Sequence, residues 1–194
     1  MISIIGAGGF AREVKAHLLN VNPKEQIEFY VDSEFKTFGL KTIEEIDIKC
    51  SLVLIAIANP IIRKRIVENM PIGTKYLTFI HPSAVVLDAK IGEGSVICAN
   101  CTVTVGVSLG NHCHLSPGVT VGHDTTIGDY FTATPGVNIA GNCNIGSCVY
   151  MGTNSCVKQK TNIIENTTVG MGCVVVNNID ISGVYVGNPA KKLR

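Results

Sequence analysis

The chain has little net charge, few aromatic residues and no long apolar run. Its 194 residues carry a formal charge of +1, and only 6% are aromatic. This balance gives no support for nucleic-acid binding, which requires a concentrated basic surface. The longest clean apolar run, Leu52 to Ala58, is far too short to span a bilayer. The N-terminus lacks the basic start and long apolar stretch of a secretion signal, so we expect a cytoplasmic protein.

The most informative feature that is present is a repeat. Between residues 85 and 169, an aliphatic or small apolar residue returns every six residues without interruption. A fixed period of this length is typical of a parallel β-helix, in which three hexads form one coil and residues eighteen apart stack vertically. The sequence therefore predicts a β-helix with an inward column made of Val85, Ile91, Ile97, Val103, Leu109, Leu115, Val121, Ile127, Ala133, Ile139, Ile145, Met151, Val157, Ile163 and Val169.

Eight cysteines could indicate disulfides or a zinc site. Four of them fall at one position of the repeat, four residues after the aliphatic position, where several other hexads carry Ala, Ser or Thr. A buried free cysteine commonly serves as a small packing residue. We therefore predict structural thiols at Cys101, Cys113, Cys143 and Cys173.

The first 80 residues follow another pattern, in which short apolar runs alternate with helical spacing. The predicted strands and helices are, in chain order, Ile2–Ile5, helix Ala11–Leu19, Ile27–Val31, Leu52–Ile57, helix Ile61–Asn69 and Tyr76–Ile80. This alternation predicts a small parallel α/β unit, about half of a dinucleotide fold. We therefore divide the chain into an α/β half-Rossmann-like module at 1–80, a β-helix at 81–182 and a C-terminal tail at 183–194.

The module carries a candidate nucleotide site. The segment Gly6-Ala7-Gly8-Gly9 lies between the first strand and the first helix, where a glycine-rich loop offers backbone N–H groups and a helix N-terminus to phosphate. Asp32 ends the second strand, where an acid can contact a ribose hydroxyl or a base edge. No second half-fold follows, so the module is better suited to a nucleotide sugar than to a dinucleotide.

His123 is the strongest catalytic candidate on the β-helix. It comes two residues after Val121, so its side chain should point outward. Acyl transfer to an amine or a hydroxyl needs a base, and histidine suits that role near neutral pH. Asp124 follows and could orient the imidazole. Gly141 is eighteen residues further on, so its backbone N–H should lie one coil above His123, where it could bind a thioester oxygen.

These features together resemble a known family. The hexads, the Val121–Asp124 stretch and the Gly187–Lys191 tail look like the left-handed β-helix acyltransferases. The glycine-rich loop, Asp32 and the segment Ala56–Asn59 with Arg63 narrow the resemblance to bacterial sugar acetyltransferases, which acetylate nucleotide-linked amino sugars or sialic acids. The resemblance covers nearly the full chain. It implies a left-handed coil and a homotrimer that binds acetyl-CoA between adjacent β-helices, as a co-substrate and without a metal.

The resemblance also implies roles for single residues. His123 is then the general base, and Asp124 assists it. The residues expected to bind the cofactor are Thr132, Gly141, Thr153, Met171 and Lys191. Those expected to bind the nucleotide-sugar substrate are Gly6, Ala7, Gly8, Gly9, Phe10, Asp32, Asn59 and Arg63. Relatives often carry His at the positions of Phe10 and Thr132, so this chain departs from their pattern there.

We expect an acetyl-CoA-dependent N-acetyltransferase acting on a nucleotide-activated amino sugar in bacterial surface glycan biosynthesis. The closest alternative is O-acetylation of a sugar hydroxyl, as in the sialic acid branch, because His123 would remove a proton in either reaction. Two other classes are a non-catalytic solenoid scaffold and a zinc enzyme similar to γ-class carbonic anhydrases. A zinc site of this kind would require His112, His114 and His123 to converge on one metal ion across a trimer interface.

Overall fold

A computed structural model describes residues 1–35 and 39–193, so Arg194, the last residue of the expected tail, lies outside the described part of the chain. The chain forms a small α/β module followed by a parallel β-solenoid, which confirms the predicted fold class. Most of the strands in the solenoid are only two residues long, because each hexad contributes one short strand and one corner.

The module is a parallel sheet with two helices. Its elements are β1 (Ile2–Ile5), α1 (Gly9–Val21), β2 (Ile27–Val31), a 3-10 helix (Ser33–Phe35), β3 (Lys41–Thr42), a second 3-10 helix (Ile43–Glu45), β4 (Leu52–Ile55) and α2 (Pro60–Asn69). The strand order is β3-β2-β1-β4, and every pairing is parallel. The carboxyl ends of β1, β2 and β4 therefore meet at one edge, where the glycine-rich loop and Asp32 also lie.

The solenoid is built from three sheets. Sheet I consists of β5 (Phe79–Ile80), β8 (Val96–Ile97), β11 (His114–Leu115), β14 (Thr132–Ala133), β17 (Tyr150–Met151), β20 (Thr168–Val169), β22 (Val184–Val186) and β23 (Lys191–Lys192). Sheet II consists of β6 (Val85–Val86), β9 (Thr102–Val103), β12 (Thr120–Val121), β15 (Asn138–Ile139), β18 (Cys156–Val157) and β21 (Val174–Val175). Sheet III consists of β7 (Lys90–Ile91), β10 (Ser108–Leu109), β13 (Thr126–Ile127), β16 (Asn144–Ile145) and β19 (Asn162–Ile163).

The chain visits the sheets in the order I, II, III, so each coil has three corners. We name these corners by the sheets that they join, as the I–II, II–III and III–I corners. Residues eighteen apart pair in register, for example His114 with Thr132 and Thr120 with Asn138. The spacing of eighteen residues counted in the sequence is therefore the spacing of residues that stack in successive coils.

The inward column is confirmed from Ile97 to Val169, where every member is at most 3% exposed. The prediction is wrong at its first position. Val85 is 48% exposed, and Val86 pairs with Val103 in its place. The first coil is one residue shorter at this point, so the residue that points inward shifts by one. Because strand side chains alternate between faces, a single-residue shift reverses which of the two neighbours is buried.

The cysteines serve as packing residues. Cys101, Cys113, Cys143 and Cys173 are at most 3% exposed, and all eight cysteines are free. Cys98 and Cys101 have the spacing of a Cys-x-x-Cys pair, yet both lie in the core. Burial raises the pKa of Cys98 to about 12 and that of Cys101 to about 11, so both stay as neutral thiols.

The module packs against sheet I. One apolar cluster joins α1, through Ala11, Val14 and Leu18, to Phe79 and Val96 of the solenoid. The ring of Phe10 lies 5.0 Å from that of His114, centroid to centroid. Sheet I takes in Phe79–Ile80, ahead of the expected boundary at residue 81, and the tail returns to the same sheet as β22 and β23. The module and the solenoid are therefore joined by a shared core.

Candidate active site

His123 and Asp124 form a hydrogen-bonded pair on the II–III corner that follows β12. The imidazole Nδ1 lies 2.9 Å from Oδ2 of Asp124, and the two side chains are 57% and 63% exposed. Asp124 adopts a left-handed backbone conformation with φ of 56°, which turns its carboxylate back toward the ring. Because an ionised carboxylate can only accept, Nδ1 carries the proton and Nε2 is left as the acceptor. Such a ring can take a proton from a substrate.

Gly141 occupies the same corner one coil further along the stack. A Cβ atom at this position would lie 2.7 Å from Nε2 of His123, so only a glycine leaves room for the ring. The backbone N–H of Gly141 donates to no acceptor among the described residues. An N–H that is free beside an imidazole is suited to bind an oxygen on which negative charge develops.

Gly106 lies on the same corner one coil before Asp124, just as Gly141 lies one coil after His123. It was not predicted from the sequence. A Cβ atom on Gly106 would lie 2.6 Å from Oδ1 of Asp124, and its φ of +69° also favours glycine. The signal that could have found it is the repeat itself, because Gly106 precedes Asp124 by eighteen residues. Asp124 and His123 therefore each face a glycine in the neighbouring coil.

The module has a cavity of about 520 Å³ at the carboxyl edge of its sheet. Five residues predicted to bind the substrate line one side of it, namely Gly6, Ala7, Gly8, Gly9 and Phe10. The residue before α1 is Gly8, which offers no side-chain cap, so the first-turn N–H groups of the helix are available to an anion. This arrangement suits a phosphate group.

The opposite side of the cavity carries Asp32 and residues that sequence reasoning missed. Phe35, Leu40 and Arg65 complete the lining with Ile62. Arg65 Nη2 lies 3.8 Å from Asp32 Oδ2 and 3.8 Å from Glu34 Oε1. Arg65 could not be picked out because its helical spacing looks like that of any solvated residue on α2.

Asn59 and Arg63 differ from the other expected substrate residues. Asn59 caps α2, since its Oδ1 accepts from the N–H groups of Ile61 and Ile62, and it borders a second groove. That groove, of about 490 Å³, lies between the module and sheet I, where Tyr150 and Thr168 line it. Arg63 is fully buried, and its guanidinium donates to backbone carbonyls of the module and the solenoid. It therefore does not line the module cavity.

The expected cofactor residues do not form one cluster within the chain. Gly141 lies on the II–III corner beside His123, whereas Thr153 and Met171 lie on the I–II corner. Lys191 belongs to β23 at the end of sheet I. Thr132 is only 2% exposed, and its Oγ1 donates to Ala58 O at 2.8 Å and accepts from Arg63. Its small hydroxyl therefore joins the module to the solenoid in this structure.

His112 and His114 are buried between the module and the solenoid. The His112 ring stacks on Tyr130 at 5.6 Å and meets Tyr76 edge-on at 4.6 Å. Burial, together with the nearby Arg63, lowers the pKa of His112 to about 4 and that of His114 well below its ordinary value. Both rings are therefore neutral at physiological pH. Within the described residues, no three His, Cys, Asp or Glu side chains are grouped so that they could hold a metal ion.

Comparisons with known proteins agree with this architecture. Residues 1–70 match the PglD N-terminal domain family. The GDP-perosamine N-acetyltransferase of Escherichia coli is 29% identical over 174 residues, or 82% of this chain and 78% of that protein. The UDP-N-acetylbacillosamine N-acetyltransferase of Bacillus subtilis is 34% identical over 111 residues, covering 50% of this chain and 51% of that protein.

Solved structures match over the full length. The acetyltransferase domain of PglB from Neisseria gonorrhoeae superposes with a TM-score of 0.90 at 31% identity, covering 99% of this chain and 98% of that one. The same domain in complex with acetyl coenzyme A gives a TM-score of 0.88 at 30% identity and covers 99% and 98%. No helix in the described ranges has the length and apolar character that a membrane span requires.

A parallel β-solenoid with an exposed His–acid pair at one corner, joined to a nucleotide-type α/β module, defines a hexapeptide-repeat acyltransferase. Within that class, the chain belongs to the bacterial sugar acetyltransferase family, as its match to the PglB domain over 98% of that domain shows.

Proposed function

We propose that this protein transfers the acetyl group of acetyl-CoA to the amino group of a nucleotide-activated amino sugar in bacterial surface glycan biosynthesis. The observation that carries this proposal is the joint presence of the His123–Asp124 pair, the facing Gly141 N–H and a phosphate-type cavity in the module. The E. coli and B. subtilis relatives are named N-acetyltransferases of GDP-perosamine and of a UDP-linked bacillosamine, and the PglB domain binds acetyl-CoA.

His123 acts as the general base in the proposed mechanism. As the acceptor nitrogen attacks the thioester carbon, its N–H proton passes to Nε2, a C–N bond forms and the C–S bond breaks. The proton on Nε2 then passes to the leaving sulfur, which departs as the free thiol of CoA and restores the neutral ring of His123. Asp124 holds Nδ1–H and stabilises the positive charge that the ring gains, and the Gly141 N–H donates to the carbonyl oxygen while its negative charge grows.

The nucleotide cavity and His123 lie on opposite sides of one chain. The module covers sheet I, whereas His123 lies on the II–III corner, which is the corner of a three-sided prism that faces away from sheet I. A substrate bound in the module therefore has no path to His123 of the same chain. We propose a homotrimer in which each module delivers its substrate to His123 of a neighbouring subunit, with acetyl-CoA held between them. Free cysteines throughout the chain suit a reducing, cytoplasmic location.

Turnover with acetyl-CoA and a panel of nucleotide sugars tests the reaction. Amino-sugar substrates should react, and replacing His123 by Ala should reduce kcat by about 10²-fold or more. Sialic acid or another hydroxyl substrate serves as the comparison. Turnover of the hydroxyl substrate alone would identify an O-acetyltransferase, and no CoA binding by calorimetry would identify a scaffold.

Subunit mixing tests the shared site. Trimers reassembled from His123→Ala subunits and Asp32→Ala subunits contain some interfaces at which both residues are intact. Activity should therefore return on mixing, although each variant alone is inactive or weak. If mixing restores no activity while co-purification of two differently tagged variants shows that mixed trimers have formed, the cavity and His123 of one chain must act together.

A further inference from the structure

Arg63 is the largest of the fully buried side chains, with no exposed surface. None of the described carboxylates lies within ion-pair distance of it. A buried cation without a counter-ion is costly unless its N–H groups are all well bonded. An arginine in such a place therefore needs an explanation beyond filling space.

Each of the three guanidinium nitrogens donates to at least one acceptor. Its Nε donates to His112 O at 2.8 Å, and its Nη1 donates to Ile57 O. Its Nη2 donates to Tyr130 O at 2.7 Å, to Phe131 O at 3.1 Å and to Thr132 Oγ1 at 2.9 Å. Two successive coils of the solenoid and one loop of the module are thus held by one planar group.

The loop that Arg63 holds borders both the module cavity and the groove against sheet I. Ile57 and Ala58 line the module cavity, and Ala58, Asn59 and Pro60 line the groove against sheet I. Thr132 Oγ1 adds a second link, because it donates to Ala58 O at 2.8 Å while it accepts from Arg63. The position of this loop relative to the solenoid is therefore fixed by Arg63 and Thr132 together.

We propose that Arg63 is a positioning residue, which fixes the 57–60 loop against sheet I and so sets where a substrate held by the module presents its amine. This inference rests on the proposed function. Arg63 touches neither cavity, so it contributes alignment and not binding contacts. Misplacement of a reacting group by about 1 Å can reduce a rate by about 10²-fold even when the substrate still binds.

Arg63→Lys and Arg63→Met test the proposal. Lysine keeps the charge but cannot reach the same acceptors as a planar fork, so it should restore activity only in part. We expect kcat to fall by about 10-fold or more for Lys and further for Met, while the dissociation constant for the nucleotide sugar, measured by calorimetry without CoA, changes by less than about 3-fold. Thr132→Val, which removes only the hydroxyl link, should show a smaller loss of kcat.

Lys64→Met is the matched control. Lys64 is the next residue of α2, and its side chain is 47% exposed, so losing its charge should leave kcat and the dissociation constant unchanged. All variants are assayed below their melting temperatures, and rates are divided by the concentration of CoA-binding sites. A kcat within about 2-fold of the wild-type value for folded Arg63→Lys and Thr132→Val would overturn the proposal. Should Arg63→Met fail to fold, these two variants decide.

Amide hydrogen exchange gives a readout that does not depend on turnover. The first turn of α2, whose N–H groups at 61–63 donate to Asn59, should exchange at least about 10-fold faster in Arg63→Lys than in wild type or Lys64→Met, because the loop that carries Asn59 is less firmly anchored to the solenoid. Unchanged exchange in this turn would also overturn the proposal. If wild-type protein acetylates no nucleotide sugar, the proposed function fails, and the exchange measurement still judges the role of Arg63.

Discussion

The ring of His123 lies directly against the backbone of Gly141, so close that a Cβ atom on the glycine would come within 2.7 Å of Nε2. Gly141→Ala should therefore push the imidazole away from its place while leaving the coil intact. We expect kcat to fall by about 10- to 10²-fold, since the base and the facing N–H both lose their alignment. The change is measured by steady-state kinetics, with the melting temperature as a check on folding.

A double variant shows whether this loss acts through His123. If Gly141→Ala disables the base, adding it to His123→Ala should reduce the rate little further, because residues that act as a unit are not additive. If the fold-changes in rate of the two single variants instead multiply in the double variant, Gly141 has a role that does not depend on the His123 ring.

Asp124→Asn tests the orienting carboxylate. Asparagine tolerates the left-handed φ of 56° at this corner and keeps the size of the side chain, but it lacks the charge that stabilises a protonated imidazole. We expect kcat to fall by about 10-fold or more, with little change in melting temperature. Asp88→Asn is the control, since Asp88 has φ of 43° at the same corner two coils below and is exposed. An equal loss in both variants would argue against a specific role for Asp124.

Stability should fall in mild acid because of the buried histidines. The pKa of His112 is lowered from 6.5 to about 4 in the folded protein, and that of His114 is lowered as well. Below pH 6.5 the unfolded chain therefore takes up more protons than the folded one, so the free energy of unfolding decreases as the pH falls toward 4. The loss from His112 amounts to roughly 2 kcal/mol by pH 5 and roughly 3 kcal/mol below pH 4, and urea unfolding at pH 7.5, 6 and 5 would measure the part lost by pH 5.

His112→Asn identifies the source of this pH dependence. Asparagine does not titrate in this range and tolerates the left-handed φ of 53° at this position. The variant is expected to be less stable at pH 7.5, because it loses the stacking on Tyr130, but its stability should change less between pH 7.5 and 5. An unaltered slope would place the titrating group elsewhere.

Thiol labelling checks the packing role of the cysteines. Cys50 is exposed and Cys156 is partly exposed, whereas the other six thiols are buried. At most two thiols should react with Ellman's reagent in the folded protein, and all eight should react in urea. Four or more reactive thiols before unfolding would show that the solenoid core is more open than the structure indicates.

The solenoid could be predicted from the sequence because the six-residue repeat fixes its coils. In the module, the strands Ile2–Ile5 and Ile27–Val31 were predicted to the residue, and helix α2 begins one residue before its predicted start. Tyr76–Ile80 was predicted as one strand of the module, but Tyr76 makes only an isolated bridge to Val53, and Phe79–Ile80 pairs with the solenoid. An apolar run does not reveal which of two sheets it will join, because either one buries it equally well.

Some residues of the candidate site could likewise be placed from the sequence, and others could not. The positions of His123 and Gly141 followed from counting by eighteen, since a residue's place in a repeat is local information. Arg63 could not be assigned from sequence, because the same arginine on α2 could bind a phosphate or lie in a seam. The difference depends on the carbonyls of His112 and Tyr130, which only folding brings to it.

The sequence by itself thus determined the solenoid, its inward column and the corner that bears His123, because a six-residue period allows one lattice and fixes each side chain upon it. Only the tertiary structure decided that the module covers sheet I, opposite that corner, and that Arg63 and Thr132 hold the two parts together. These facts come from contacts between segments distant in the chain, where packing and the bonding of a buried charge, and no local pattern, select the arrangement.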